Sequence, residues 1–268
     1  MRIGNKEFAD GKTHVMGILN VTPDSFSDGG RFVTMDKVIE HAEAMVREGA
    51  GIIDVGGEST RPGYTMISDD EEISRVVPAI EAIKQRIDIP VSIDTYKSAV
   101  AEAAICAGAD MVNDIWGLQH DPKMAKTIKA YDVSVTITHN KNKADYEDFN
   151  VDVVNELNRL AEIAVKSGID KDKIILDPGI GFVKSTEQNL LVMKHLDEFV
   201  KLGYPVLLGA SKKSFIGNTL SLPVDERTEG TLATTAVAVQ KGVSFVRVHD
   251  VKENVRLIKM LESIRDVK

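Results

Sequence analysis

Short β-branched runs alternate with longer amphipathic stretches from one end of the chain to the other, and this pattern predicts repeated strand–helix units. The runs Val15 to Leu19, Ile52 to Val55, Val91 to Ile93, Met111 to Val112, Val133 to Ile137, Ile174 to Leu176, Val206 to Leu208 and Phe245 to Val248 predict eight strands. Helical spacing covers Asp36 to Glu48, Asp70 to Arg86, Ser98 to Ala107, Pro122 to Tyr131, Val151 to Ser167, Glu187 to Leu202, Glu229 to Gln240 and Val251 to Ile264. Gly49, Gly108, Gly168, Gly203 and Gly242 stand just past helix ends, where a left-handed C-cap favours glycine. No Pro/Ser-rich linker or shift in composition divides the chain, so residues 1–268 are expected to form one α/β domain, a (β/α)8 TIM barrel. An open doubly wound sheet is the alternative. It usually carries a glycine-rich nucleotide loop after its first strand, and neither G-x-G-x-x-G nor G-x-x-x-x-G-K-[ST] occurs here.

Composition narrows the partners. Hydrophobic residues at 43% and charged residues at 28% are globular values that exclude a fibrous or disordered chain. With 41 acidic against 33 basic residues, the net charge of −8 disfavours non-specific binding to nucleic acid or to an anionic membrane. No apolar run approaches the ~20 residues of a membrane span, and the N-terminus lacks a signal-peptide core. A soluble, cytoplasmic protein is the expectation. Cys106 is the single cysteine, so neither an intrachain disulfide nor a cysteine zinc cluster forms; its Ala-Ala-Ile-Cys-Ala-Gly context predicts a buried helical position.

A barrel gathers its chemistry where strands end at the C-terminal face. All eight exits carry polar groups: Asn20, the Gly56-to-Gly63 loop, Asp94, Asn113-Asp114, His139-Asn140, Asp177, Ser211-Lys-Lys-Ser214, and Arg247 with His249 and Asp250. At Asp114 and Asp250 a plain helix cap is as good a reading as a site. Arg247 and His249, two residues apart on one strand, share a side. With Asn20 on the adjoining first strand they suit an anion. Asp94, Asn113, Asp177 and Lys213 suit a flat heterocycle with an N–H edge and a carbonyl. A metal held by Asp94 and Asp177 is the weaker reading, because no histidine ligands accompany them. The long Gly/Ser/Thr-rich loops after strands one and two carry Asp28 and Arg61 and are read as mobile lids.

At this depth the sequence closely resembles the dihydropteroate synthases. The resemblance is carried by Gly17-Ile-Leu-Asn-Val-Thr-Pro-Asp-Ser-Phe-Ser-Asp-Gly-Gly30, Asp54-Val-Gly-Gly-Glu-Ser-Thr-Arg-Pro-Gly63, Ser92-Ile-Asp-Thr95, Asn113-Asp114, Asp177-Pro-Gly-Ile-Gly-Phe182, Ser211-Lys-Lys-Ser-Phe215 and Arg247-Val-His-Asp250. It implies a folate-pathway transferase that joins 6-hydroxymethyl-7,8-dihydropterin diphosphate to 4-aminobenzoate, with Mg²⁺ as cofactor. It also implies a cytoplasmic homodimer and a sulfonamide target. Carried over by position, the pterin pocket is Asp94, Asn113, Asp177, Phe182, Gly209 and Lys213. The diphosphate falls to Asn20, Arg61, Arg247 and His249, and Mg²⁺ to Asn20 and Asp28. The aminobenzoate site is Phe26, Thr60, Arg61, Pro62, Lys213 and Ser214. Of these, Asp94, Asp177, Lys213, Arg247 and His249 would carry the chemistry. Two positions depart from the family pattern: Thr138 stands where a methionine is usual, and Lys212 replaces the commoner arginine.

A diphosphate leaving a methylene on an electron-rich ring predicts an SN1-like displacement, with no nucleophilic serine or cysteine. The rivals are a methyltetrahydrofolate-dependent methyltransferase, which has no need of the Arg247 and His249 pair, and a non-catalytic pterin-binding paralogue.

Overall fold

The structure, a computed structural model, describes residues 1–22, 35–58 and 66–267. Phe26, Asp28, Thr60, Arg61 and Pro62, and with them the two expected lids, lie outside the described residues. Eight parallel strands form the predicted barrel: β1 His14–Asn20, β2 Ile52–Gly56, β3 Val91–Asp94, β4 Met111–Asp114, β5 Ser134–Thr138, β6 Ile174–Asp177, β7 Leu207–Leu208 and β8 Phe245–Val248. Neighbours in sequence are neighbours in the sheet from β1 to β6, and β8 pairs with both β1 and β7. Between β6 and β7 a single parallel bridge, Leu176 to Val206, closes the ring.

Alternation along the strands sorts side chains into two sets. One parity, including Val15, Leu19, Ile53, Val55, Val91, Ile93, Val135, Ile137, Val246 and Val248, belongs to the large core shared with the helices. The other parity fills the barrel from below with Met16, Ile52, Met111, Ile175, Leu207 and Phe245. A two-stranded N-terminal hairpin, Arg2–Ile3 with Lys6–Glu7, adds Ile3 and Phe8 to this inner cluster and closes the bottom. Further along the same parity the strands turn polar, with Asp54, Ser92 and Asp94, Asn113, Thr136, Asp177 and Arg247 on six of the eight, and that layer builds the site.

Around the barrel run α1 Met35–Glu48, α2 Asp69–Arg86, α3 Ser98–Cys106, α4 Met124–Tyr131, α5 Phe149–Lys166, α6 Thr186–Lys194, α7 Leu196–Val200, α8 Ser214–Leu220, α9 Thr228–Gln240 and α10 Val251–Asp266. The start of α2 is fixed by Ser68, which accepts the Glu71 amide, and that of α6 by a reciprocal Ser185–Gln188 capping box. All five glycines predicted at helix ends adopt positive φ. The helix expected over Glu187 to Leu202 is broken at His195 into α6 and α7. The seven-residue α8 has no counterpart in the periodicity, which a segment of two turns is too short to express. Cys106 corrects another expectation. It is exposed at the end of α3, because Val100, Ala101 and Ala104 form the buried stripe and Cys106 falls off it.

Candidate active site

Strand register sets Asn20 opposite Gly56, Gly56 opposite Asp94, and Asp94 opposite Asn113, a continuous row across β1 to β4. On β6, Asp177 stands opposite Thr138. Beneath the row, at the same parity of β2, lies Asp54, fully buried and not among the expected site residues. Its Oδ2 accepts from Asn113 Nδ2 at 3.1 Å and from Arg247 Nε at 2.5 Å, while Arg247 Nη2 donates to Asp94 Oδ2 at 2.6 Å. A lone carboxylate inside the apolar run Ile52-Ile53-Asp54-Val55 was the available signal. Reading only the residues that leave each strand passed over it.

These bonds leave an unusual remainder. Asp54 Oδ1, Ser92 Oγ, Asp94 Oδ1, Asn113 Oδ1 and Thr136 Oγ1 are buried with no hydrogen-bond partner among the described residues. All five lie at the inward parity of four adjacent strands, β2 to β5. An unsatisfied buried polar atom costs ~1–3 kcal/mol, so a polar ligand that meets several of them is strongly favoured. Burial, reinforced by the neighbouring Asp54 and opposed by Arg247, pushes the Asp94 carboxyl up to about 7. Arg247 itself is held firmly charged, because the attraction of Asp54 and Asp94 outweighs its burial.

Across the mouth, Asp177 is buried and accepts the Gly179 amide on Oδ1 at 2.8 Å, and burial raises its pKa despite nearby Lys213. Lys213 Nζ donates to the Ile180 carbonyl and sits 4.7 Å from the Phe182 ring centre. Burial lowers Lys213 to about 8, with Asp177 opposing the shift. Gly209 keeps the space between them open, since a Cβ there would stand 3.5 Å from Asp177 Oδ2 and 3.9 Å from Lys213 Nζ. The structure therefore brings Asp94, Asn113, Asp177, Phe182, Gly209, Lys213 and Arg247 to one mouth. Ser214, the first residue of α8, is exposed beside Lys213.

Arg247 and His249 leave β8 into different surroundings. His249 Nδ1 meets Ser211 Oγ at 2.9 Å, and the residue lines a cavity of about 500 Å³ with Lys37, His41 and Glu48 of α1. Arg247 is thus not committed to an anion alone, because its guanidinium binds the carboxylates of the pterin side. Asp114 has the structural role, taking the Trp116 and Leu118 amides of the next turn at 2.8 Å each. Asp250 does not cap α10 with its side chain; it pairs with Lys212 at 2.9 Å and accepts from Thr228 at 3.0 Å. Lys212 is thereby occupied outside the pocket. Thr138 is buried beside Asp177 in the sheet.

The sequence pattern of the pterin binding enzyme family matches residues 16–249. A dihydropteroate synthase of Clostridium beijerinckii is 55% identical over 98% of this chain and 99% of its own length. The chain belongs to the dihydropteroate synthase family. It is accordingly a transferase with a pterin-binding barrel. A solved dihydropteroate synthase from Clostridium difficile, studied in the presence of pteroic acid, superposes with a TM-score of 0.93 at 50% identity, covering 96% of this chain and 99% of that one. The enzyme of Xanthomonas albilineans, solved in complex with 7,8-dihydropteroate, gives a TM-score of 0.89 at 36% identity, covering 96% and 95%.

Proposed function

We propose that this enzyme joins 6-hydroxymethyl-7,8-dihydropterin diphosphate to 4-aminobenzoate, giving 7,8-dihydropteroate and pyrophosphate. The observation that carries this reading is the row of unpartnered buried oxygens at one mouth with Asp177 and Lys213, between which Gly209 leaves room. Carboxylates and an amide accept the N–H edge of a pterin, and the lysine donates to its carbonyl and nitrogen acceptors.

The carbon–oxygen bond to the diphosphate breaks first, leaving a cation spread over the ring. Asp94, Asp177 and Asp54 against Arg247 and Lys213 leave the pocket with one net negative charge when all are ionised, which favours that cation. Fixed charges of this type, already oriented before reaction, are commonly the largest single catalytic contribution. The aromatic amine then adds to the methylene and loses its proton. Mg²⁺ as cofactor would neutralise the departing diphosphate. Asn20 suits it as a hard oxygen donor: its Oδ1 faces Gly56, where a Cβ would lie 3.2 Å away and 3.9 Å from Asp94 Oδ2, so the site keeps room for phosphate oxygens. Asp28, the second expected metal contact, lies outside the described residues, and so do Arg61 of the diphosphate set and Phe26, Thr60 and Pro62 of the aminobenzoate set.

We take the active form to be a cytoplasmic homodimer. Family resemblance supports both points, and among the described residues no helix is long and apolar enough to cross a membrane. The deciding experiment is pyrophosphate release from the pterin diphosphate. Release that requires added 4-aminobenzoate is expected, and pterin binding without such release would leave the paralogue reading in its place.

A further inference from the structure

We infer that Lys184, held by His139, which Glu156 holds in turn, is a positioning residue that keeps the β6–α6 turn in the shape that presents its groups to Asp177 and Lys213. The inference rests on the pterin reading of the site.

The Lys184 ammonium is turned inward among four acceptors. Its Nζ lies 2.9 Å from His139 Nδ1, 3.0 Å from the Gly179 carbonyl, 3.2 Å from the Phe182 carbonyl and 3.4 Å from the His139 carbonyl. Burial lowers Lys184 to about 7, with Asp177 opposing the shift; as the ammonium it has three hydrogens, and the three shorter contacts take one each. This assigns the imidazole. Nδ1 accepts, so the neutral ring carries its proton on Nε2 and donates it to Glu156 Oε2 at 2.8 Å. Burial and the adjacent Lys184 charge push the His139 pKa down to about 4, against the opposing pull of Glu156, as a neutral acceptor requires. Lys141 holds the other Glu156 oxygen at 2.9 Å and fixes the outer end of the chain.

The turn itself needs this support. Gly179, Gly181 and Val183 all have positive φ, at +71°, +84° and +47°, and Val183 is β-branched, for which this conformation is strained. It is also pressed against β5, since a Cβ on Gly179 would stand 2.0 Å from the His139 carbonyl oxygen. Lys184 ties both limbs of the turn, through the Gly179 and Phe182 carbonyls, to the exit of β5. From its other side the same turn supplies the site: the Gly179 amide to Asp177 Oδ1, the Ile180 carbonyl to Lys213 Nζ, and the Phe182 ring beneath Lys213. His139, a strand exit with no place in the expected pterin, diphosphate or aminobenzoate sets, thereby gains a role.

The test compares two ligands on the full-length protein. Lys184→Met should weaken binding of free 6-hydroxymethyl-7,8-dihydropterin about tenfold or more, the scale of a lost charge-assisted bond, and leave Mg²⁺-pyrophosphate binding within twofold. In turnover, KM for the pterin diphosphate should rise more than KM for 4-aminobenzoate, which shares only Lys213 with this turn. His139→Leu keeps volume but removes one of the three acceptors, so an intermediate loss of about threefold is expected, and this variant stands in if Lys184→Met fails to fold. Wild-type pterin affinity in the folded variant, or equal losses for both ligands, overturns the positioning role. Failure of the wild-type enzyme itself to bind the pterin would overturn the reading of the site instead.

Discussion

Replacing Arg247 by methionine removes the cation that joins Asp54 and Asp94 and keeps most of its apolar stem. The Asp54 side chain has no exposure, and that of Asp94 has 9%. Breaking one partner out of a buried ion pair costs ~3–5 kcal/mol, because the remaining charges stay desolvated. At ~2–4 °C per kcal/mol for a chain of about this size, the melting temperature should fall by roughly 6–20 °C. The loss should also depend on pH, with a definite sign. In the unfolded chain the Asp94 carboxyl titrates near the ordinary value of about 3.9. In the folded wild type Asp94 is already raised to about 7, and loss of Arg247 raises it further. Between those values the folded variant holds a proton that the unfolded chain has released, so stability falls as pH rises. Thermal unfolding at pH 5 and pH 8 should therefore show a smaller deficit for Arg247→Met at pH 5. Calorimetry should further show weakened binding of free pterin as well as of the diphosphate substrate. A deficit that is equal at both pH values, or greater at pH 5, would refute the buried-triad reasoning, as would wild-type pterin affinity.

Asp177→Asn should lose pterin affinity by ~1.5–3 kcal/mol without unfolding, since an amide has one acceptor oxygen where the carboxylate has two, and Oδ1 already serves the Gly179 amide; unchanged binding in calorimetry removes Asp177 from the site. Val183→Gly should relieve backbone strain of ~1–3 kcal/mol against an unfolded-state entropy cost of ~0.4–1 kcal/mol, so a melting point raised by a few degrees is expected, and a lowered one counts against strain at that turn. 4-Aminobenzoate should bind second, weakly to the apo enzyme and tightly once pterin and Mg²⁺-pyrophosphate are present. Its amine has a target only once the methylene turns electrophilic as pyrophosphate leaves, and tight binding to the apo enzyme would contradict the order.

The barrel was legible because each βα unit announces itself twice, in a β-branched run and in a helical stripe closed by glycine. The mouth was legible for a similar reason, since polar residues at the ends of apolar runs are visible without coordinates. Asp54 was not found this way, because it sits one inward step below the strand end and belongs to the site only through Arg247 and Asn113. The role of Lys184 was equally hidden. Nothing local distinguishes it from a surface lysine, and only the packing of the β6–α6 turn against His139 turns its amine inward. Parity along a strand is readable from sequence, whereas the direction of a long side chain across a turn is a property of the packed fold.

β6 and β7 are joined by the single bridge from Leu176 to Val206 and the hydrogen bond that the Leu176 amide donates to the Pro205 carbonyl, whereas the other seven junctions are regular ladders. Asp177 ends one side of this seam, and Lys213 follows the other. A ring molecule held by both would act as a clasp across the least reinforced joint, and breathing of the barrel there would compete directly with ligand retention. Hydrogen exchange of the Leu176 amide should therefore slow on pterin binding more than that of amides in the β3–β4 ladder. Mutations that stiffen the seam far from the mouth should likewise lengthen ligand residence without touching the ligand.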